Sequence, residues 1–294
     1  MGVIKISDRF KPFSHRPGQS CMVPKSNWAL EAYPKEIRFF YEEMSVSLEL
    51  DLNEPISGFT LQQDLEKDVV RVFGRAKEGY FHFEISHEGK KIITILKRGK
   101  SIPYIFSGKK GVLERHQFLE IETEPAFETY HTERLSLGVT KKLDWEMVLR
   151  RGELKEILPV LFFLGQKVDP SLADSSFEID SIEIFLKAYF DHLLLPKRSL
   201  DKRLGVSGKD LPSHISLAAI LYKSYEKVRS FFIKEERGSI SIFPNLPKEF
   251  VSGKLIGLKF SSAIIDIEWT KQKIRRVRIV AILEGVLEIK WPKE

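Results

Sequence analysis

Gly238 to Glu294, GSISIFPNLPKEFVSGKLIGLKFSSAIIDIEWTKQKIRRVRIVAILEGVLEIKWPKE, is a run of β-prone segments parted by turn residues. In Ala263 to Trp269, Ile265, Ile267 and Trp269 fall on one side of an extended chain and Asp266 and Glu268 on the other, the pattern of a strand with one buried face. In the next run Val277, Ile279, Ala281 and Leu283 share a side, opposite Arg276 and Arg278. Ser239 to Phe243 is a short strand that Pro244 stops, since proline has no N–H for a ladder. Pro244 to Pro247 turns the chain, and Ser252-Gly253 predicts a second turn before Leu255 to Phe260. Glu284-Gly285 predicts a tight turn before a last strand, Val286 to Trp291.

Upstream of this stretch the period changes. Ser216 to Lys234 carries Leu217, Ile220, Leu221, Ser224, Tyr225, Val228 and Phe232 at helical spacing and leads directly into the strands. Ile179 to Leu195 predicts another amphipathic helix. Glu153 to Leu164 predicts a helix interrupted by Pro159, and a short helix follows Asp144 as its cap. From Phe39 to about residue 140 the period returns to two. Met44, Val46, Leu48, Leu50 and Leu52 alternate with polar residues, and Val69 to Phe73, Tyr80 to Ile85, Ile92 to Leu96, Ile102 to Phe106 and Gln117 to Ile121 follow between glycines. The expected fold class is α+β: mainly an antiparallel β-sandwich with a helical subdomain and C-terminal strands. Its expected spans are an extended N-terminal arm at 1–35, the sandwich at 36–140, a helical segment at 141–236, and a C-terminal β segment at 237–294 packing on the rest.

The order of a short strand, F-P-x-L-P, S-G, G-L and a strand ending I-E-W falls here on Ile242, Pro244, Leu246, Pro247, Ser252, Gly253, Gly257, Leu258, Ile267, Glu268 and Trp269. It resembles the C-terminal β-domain of glycoside hydrolases built on an (α/α)6 barrel, the maltose phosphorylase and α-L-fucosidase type. In those families a similar stretch follows the last barrel helix. The chain lacks the length for the barrel that carries their catalytic carboxylates, so the resemblance implies an accessory-type β scaffold and transfers no active-site residue.

Composition bounds the function. Hydrophobic residues make up 43 % and charged residues 30 % of the chain, the balance of a folded protein rather than a disordered or membrane-embedded one. The longest apolar run, near Ile157 to Leu164, is too short to span a bilayer, and the N-terminus shows no secretory pattern. Gly2 lacks the Ser or Thr that myristoylation requires, because Ile6 stands there. Cys21 is the single cysteine, so no internal disulfide forms, and a reducing, cytoplasmic setting is the expectation. No P-loop, dinucleotide, G-x-S-x-G or paired-histidine ligand spacing is present, and neither a cofactor nor a metal is expected.

Several groups are candidates for chemistry. Trp28 and Tyr33 could stack a sugar or base, or simply anchor the arm by burial. Glu120, Glu122, Glu124 and Glu128 cluster, and a glycosidase needs two carboxyls about 5–9.5 Å apart; Glu122, Glu124 and Asp144 are the residues a catalytic reading would use. Lys271, Lys273, Arg275, Arg276 and Arg278 offer an anion site, which alternation divides between two faces, or a charge-protected sheet edge. GRAKEG at 74–79 and RGKSIP at 98–103 are basic turns, and His82 shares a strand face with Tyr80 and Glu84. The leading expectation is a non-enzymatic scaffold or interaction protein with a protein or carbohydrate partner. A carbohydrate-active enzyme with a site between sheet and helices, and a polyanion or nucleic-acid binder, are the alternatives.

Overall fold

A computed structural model of the chain describes residues 3–6, 10–41, 43–125, 132–138, 154–168, 217–236 and 238–292. The fold is α+β and dominated by antiparallel sheet. The N-terminal part contributes β1 (Phe13–Ser14), β2 (Gln19–Met22), β3 (Ala29–Tyr33), β4 (Glu36–Tyr41), β5 (Met44–Leu50) and β6 (Ser57–Asp64). There follow β7 (Val69–Ala76), β8 (Gly79–Glu88) and β9 (Lys91–Arg98), an up-and-down meander, then β10 (Ile102–Phe106) and β11 (Lys109–Leu113) in the other sheet, and β12 (Phe118–Glu122). These strands form two sheets, ordered β1-β6-β7-β8-β9-β12 and β11-β10-β5-β4-β3-β2. Period-two alternation decides which residues enter the space between them. Leu61, Val72 and Phe83 of the first sheet and Leu30, Phe39 and Leu48 of the second lie in one fully buried core.

The remaining elements build a second lobe. They are β13 (Arg134–Leu137), α1 (Leu154–Leu164), α2 (Leu217–Phe232), β14 (Ile233–Glu236), β15 (Ser239–Ile242), β16 (Ser252–Lys259), β17 (Ala263–Thr270), β18 (Lys273–Ala281) and β19 (Glu288–Lys290). One sheet runs β13-β16-β17-β18 and a smaller one β14-β15-β19. Residues Leu158 to Leu164, the all-apolar part of α1, are all buried, and α1 packs on both α2 and β13. Where the sheet meets α2, Trp269 lies 5.4 Å from Phe232 and 5.2 Å from Phe243, and Phe232 stacks on Phe250 at 6.0 Å. The Trp269 Nε1–H is satisfied by the Phe250 carbonyl at 2.9 Å.

Several boundaries differ from the sequence reading. Residues 10–33, expected as an arm, supply β1 to β3; prolines punctuate them, but QSCM and ALEAY are short runs that the sheets bury. β13 lies in the span expected for the sandwich, yet it pairs with β16 in the other lobe. Ser252-Gly253 is not a turn. Gly253 is the second residue of β16 and stands directly opposite Trp269, and a Cβ there would come within 2.4 Å of the indole, so the glycine makes room for the ring. Glu284-Gly285 does not close a hairpin either, because β19 pairs in parallel with β15 instead of returning along β18. The helices expected after Asp144 and over Ile179 to Leu195 fall outside the described residues.

The lobes are tied together. Phe10, from the sandwich side, packs on Phe163 of α1 at 5.2 Å, and the Arg134 guanidinium lies over the Phe10 ring while pairing with Glu66 at 2.6 Å. Lys167, itself buried, pairs with Asp68 at 2.9 Å.

Candidate functional site

An up-and-down meander brings alternate connections to the same end of a sheet. Here the β7–β8 turn and the β9–β10 connection arrive together, and the β5–β6 connection meets them. Backbone hydrogen bonds fix the three: Asp51 N–H donates to the Pro103 carbonyl at 2.9 Å, and Lys77 N–H to the Asn53 carbonyl at 3.2 Å. The Asn53 side-chain amide also donates to the Glu78 carboxylate. Between these loops lies a depression of about 210 Å³ lined by Asp51, Asn53, Glu78, Tyr80, Lys100 and Ser101. A second depression, of about 350 Å³, shares Asp51 and Pro103 with the first and extends past Glu49, Ile105 and Lys110. The two depressions are neighbours along the sandwich rim, with Asp51 and Pro103 lining both.

Tyr80 is among the residues lining the first depression. It remains 42 % exposed, and its ring is backed by Phe73 and His82, each 6.4 Å away, with Phe73 and His82 edge-to-face at 5.8 Å. Below the rings Arg71 bridges Glu84 at 2.9 Å and the fully buried Asp64 at 2.7 Å, so the strand face supporting them is cross-braced. Burial raises the Tyr80 phenol above its ordinary pKa, and the nearby Arg98 only partly offsets this. Desolvation lowers the His82 pKa against the opposing pull of Glu84, so the imidazole is neutral near pH 7; its Nε2 is buried without a hydrogen-bond partner. Glu78 is held below the usual carboxylate range, first by its own backbone N–H and then by Asn53. A carboxylate held ionised in this way accepts hydrogen bonds and is poorly suited to act as a general acid. An aromatic face beside carboxylates, an amide, a hydroxyl and a lysine suits a ligand with both C–H surface and many hydroxyl groups.

The residues singled out from sequence lie elsewhere. Trp28 is buried in the sandwich core, 5.9 Å from Tyr41, where no ligand reaches its ring without opening the core. Tyr33 ends β3 beneath the Arg38 guanidinium at 5.0 Å, and its hydroxyl donates to Glu31 at 3.2 Å. Glu122 ends the edge strand β12 and Glu124 sits in the bend after it, both exposed and neither lining either depression. Glu120 pairs with Lys91 at 2.5 Å. Asp144 and Glu128 fall outside the described residues. Lys271 to Arg278 occupy the β17–β18 hairpin of the other lobe, so among the described residues the structure joins none of these three groups to another.

Within that hairpin a bulge changes the expected split. Glu268 opposes Arg276 while Trp269 opposes Ile274, which leaves Arg275 as the extra residue. Lys273, Arg276 and Arg278 therefore share the face of Asp266 and Glu268, with Arg278 at 3.2 Å from Asp266 and Arg276 at 3.6 Å from Glu268. The residues lining the depressions were missed because they come from three separate connections; the two basic glycine turns were visible, but their convergence is a property of topology.

No family model, curated protein or solved structure matches this chain. Among the described residues, no cluster of side chains is arranged to hold a metal ion, and no helix is long and apolar enough to cross a membrane.

Proposed function

We propose that this chain is a non-enzymatic interaction module that binds carbohydrate in the rim depressions of its sandwich. The scaffold would be of the accessory β type that the C-terminal resemblance to (α/α)6-barrel glycosidases implies. One observation carries the reading: Tyr80, exposed yet braced by Phe73 and His82, belongs to the lining of a depression whose other lining residues include Asp51, Asn53, Glu78 and Lys100. A rigid ring supplies stacking area at little entropic cost, and the fixed polar groups supply orientation.

Calorimetric titration with a panel of neutral oligosaccharides tests the proposal. Binding heat is expected for at least one member, and Tyr80→Ala should weaken it at least about tenfold, the equivalent of about 1.4 kcal/mol, while Tyr80→Phe keeps most of it. No heat across the panel, or a heat unchanged in Tyr80→Ala, would overturn the assignment. The ionised state of Glu78 favours binding over hydrolysis, so the panel should be recovered uncleaved.

A further inference from the structure

Among the described residues, β18 is the last strand of the β13-β16-β17-β18 sheet and is paired on one side only. The direction of its free hydrogen-bonding groups follows from one bond. Ile282 N–H donates to the Ser262 carbonyl at 2.8 Å, and Ala281 stands opposite Ala263, so Ser262 and Ile282 form a hydrogen-bonded pair. In an antiparallel ladder such pairs alternate. Val280, Arg278 and Arg276 therefore exchange bonds with β17, while Val277, Ile279 and Ala281 turn their N–H and C=O groups away from the sheet.

The same three residues carry side chains on the core side. Their partners across the strand, Ile267, Ile265 and Ala263, are buried, yet Ile279 is 45 % exposed and Leu283, just beyond, 61 %. The apolar face of the sheet thus runs on past its cover. Val280, Ile282, Val286 and Trp291 are exposed as well. Uncovered apolar residues on the core-side face of a sheet edge mark a contact surface.

The opposite face states what can join. Three cations, Lys273, Arg276 and Arg278, stand on it against two carboxylates, Asp266 and Glu268. A second copy pairing antiparallel about Val277 would set Arg276 against Arg278, and pairing about Arg278 would set it against itself. Like charges directly opposed are unfavourable. The charge pattern disfavours both of these registers and complements a strand bearing carboxylates.

We propose that β18 is an acceptor edge for strand addition, taking an extended segment of a partner protein in which acidic and aliphatic residues alternate. The aliphatic residues would stand opposite Val277, Ile279 and Ala281, closing the open end of the core and receiving the outward backbone groups. The acidic residues would stand opposite Arg276 and Arg278. This is β-augmentation: main-chain bonds supply affinity and alternate side chains supply specificity.

Fluorescence anisotropy of a labelled ten-residue peptide of alternating Glu and Val tests it on the full chain. Saturable, salt-sensitive binding is expected. The same peptide with Lys in place of Glu, or N-methylated at its valines, should bind at least about tenfold more weakly, and so should the Glu–Val peptide to the double variant Arg276→Glu, Arg278→Glu. The N-methyl comparison uses the unaltered protein, so it stands even if the variant folds poorly. Absent binding, equal binding of the Glu and Lys peptides, or binding indifferent to N-methylation would overturn the proposal. So would preferential binding of a single-stranded oligonucleotide at this hairpin, or a dimer in sedimentation that Arg276→Glu, Arg278→Glu abolishes.

Discussion

In the sandwich, each sheet is the other's cover: Leu61, Val72 and Phe83 meet a facing surface of Leu30, Phe39 and Leu48 made by the same kind of alternating strand. In the C-terminal lobe one sheet is covered by elements gathered from across the chain. α1, α2 and the small second sheet pack over it, and Trp269, Phe232, Phe243 and Phe250 fill the join. A sandwich distributes its stability over many equivalent contacts, whereas a lobe assembled from unlike parts concentrates it in a few anchors. The difference also leaves different surfaces. The sandwich presents braced loops at its rim, and the lobe, among its described residues, presents an open sheet edge.

Removing an anchor should show the concentration most strongly. Trp269→Ala deletes the ring that joins α2 to the sheet and should cost about 3–5 kcal/mol, read from urea unfolding. Because Phe10–Phe163 and Arg134–Glu66 link the lobes, unfolding should remain a single transition; two separated transitions would break the comparison as drawn. Glu133 is the polar counterpart. Buried, it accepts from the Tyr225 hydroxyl at 3.1 Å, Arg229 Nε at 2.9 Å and Lys259 N–H at 3.2 Å, joining α2 to β16. Glu133→Ala leaves a largely covered guanidinium unpaired and should cost about 3 kcal/mol, measured in the same way.

Two glycines sharpen the contrast at smaller scale. Gly253 lies under the buried Trp269, so Gly253→Ala should overpack the join and cost about 1–3 kcal/mol. Gly111 stands opposite Tyr104 in the sandwich, where a Cβ would come within 2.7 Å of the ring. Tyr104 is only partly buried at the sandwich edge and can shift, so Gly111→Ala should cost less than Gly253→Ala in paired thermal melts; equal costs would contradict the distinction.

The smallest expected effect is the pH dependence of one ion-pair cluster. Burial alone would raise the Asp64 pKa, but hydrogen bonds and charge from Arg71 and Lys11 outweigh it and leave it below the ordinary value. A carboxyl depressed on folding contributes stability in full above its unfolded pKa, about 3.9, and loses it as pH falls through the folded value. Stability should therefore drop below about pH 4, and Asp64→Asn should flatten that part of the profile.

The legibility of the sequence divides along the same line. In β5, β7, β8 and β9 each residue's side of the sheet could be read from alternation alone, because facing sheets reward a strict period of two. In the other lobe β16 and β17 were legible, but Gly253 looked like a turn because the indole that explains it lies sixteen residues away. The bulge at Arg275 hid the common face of Lys273, Arg276 and Arg278, since one unpaired residue reverses every later assignment. The parallel pairing of β19 with β15 has no local signature at all. For the depressions, RGKSIP and GRAKEG stood out as basic turns, while Asp51 and Asn53 did not, since their role comes only from the loops that meet them.

Hydrogen–deuterium exchange of the full chain, with and without a saturating mixture of neutral oligosaccharides, tests the central claim most directly. The account predicts slowed exchange confined to residues 49–53, 76–80 and 100–105, with 273–283 unchanged. Protection concentrated in the C-terminal lobe, or no protection anywhere, would contradict it.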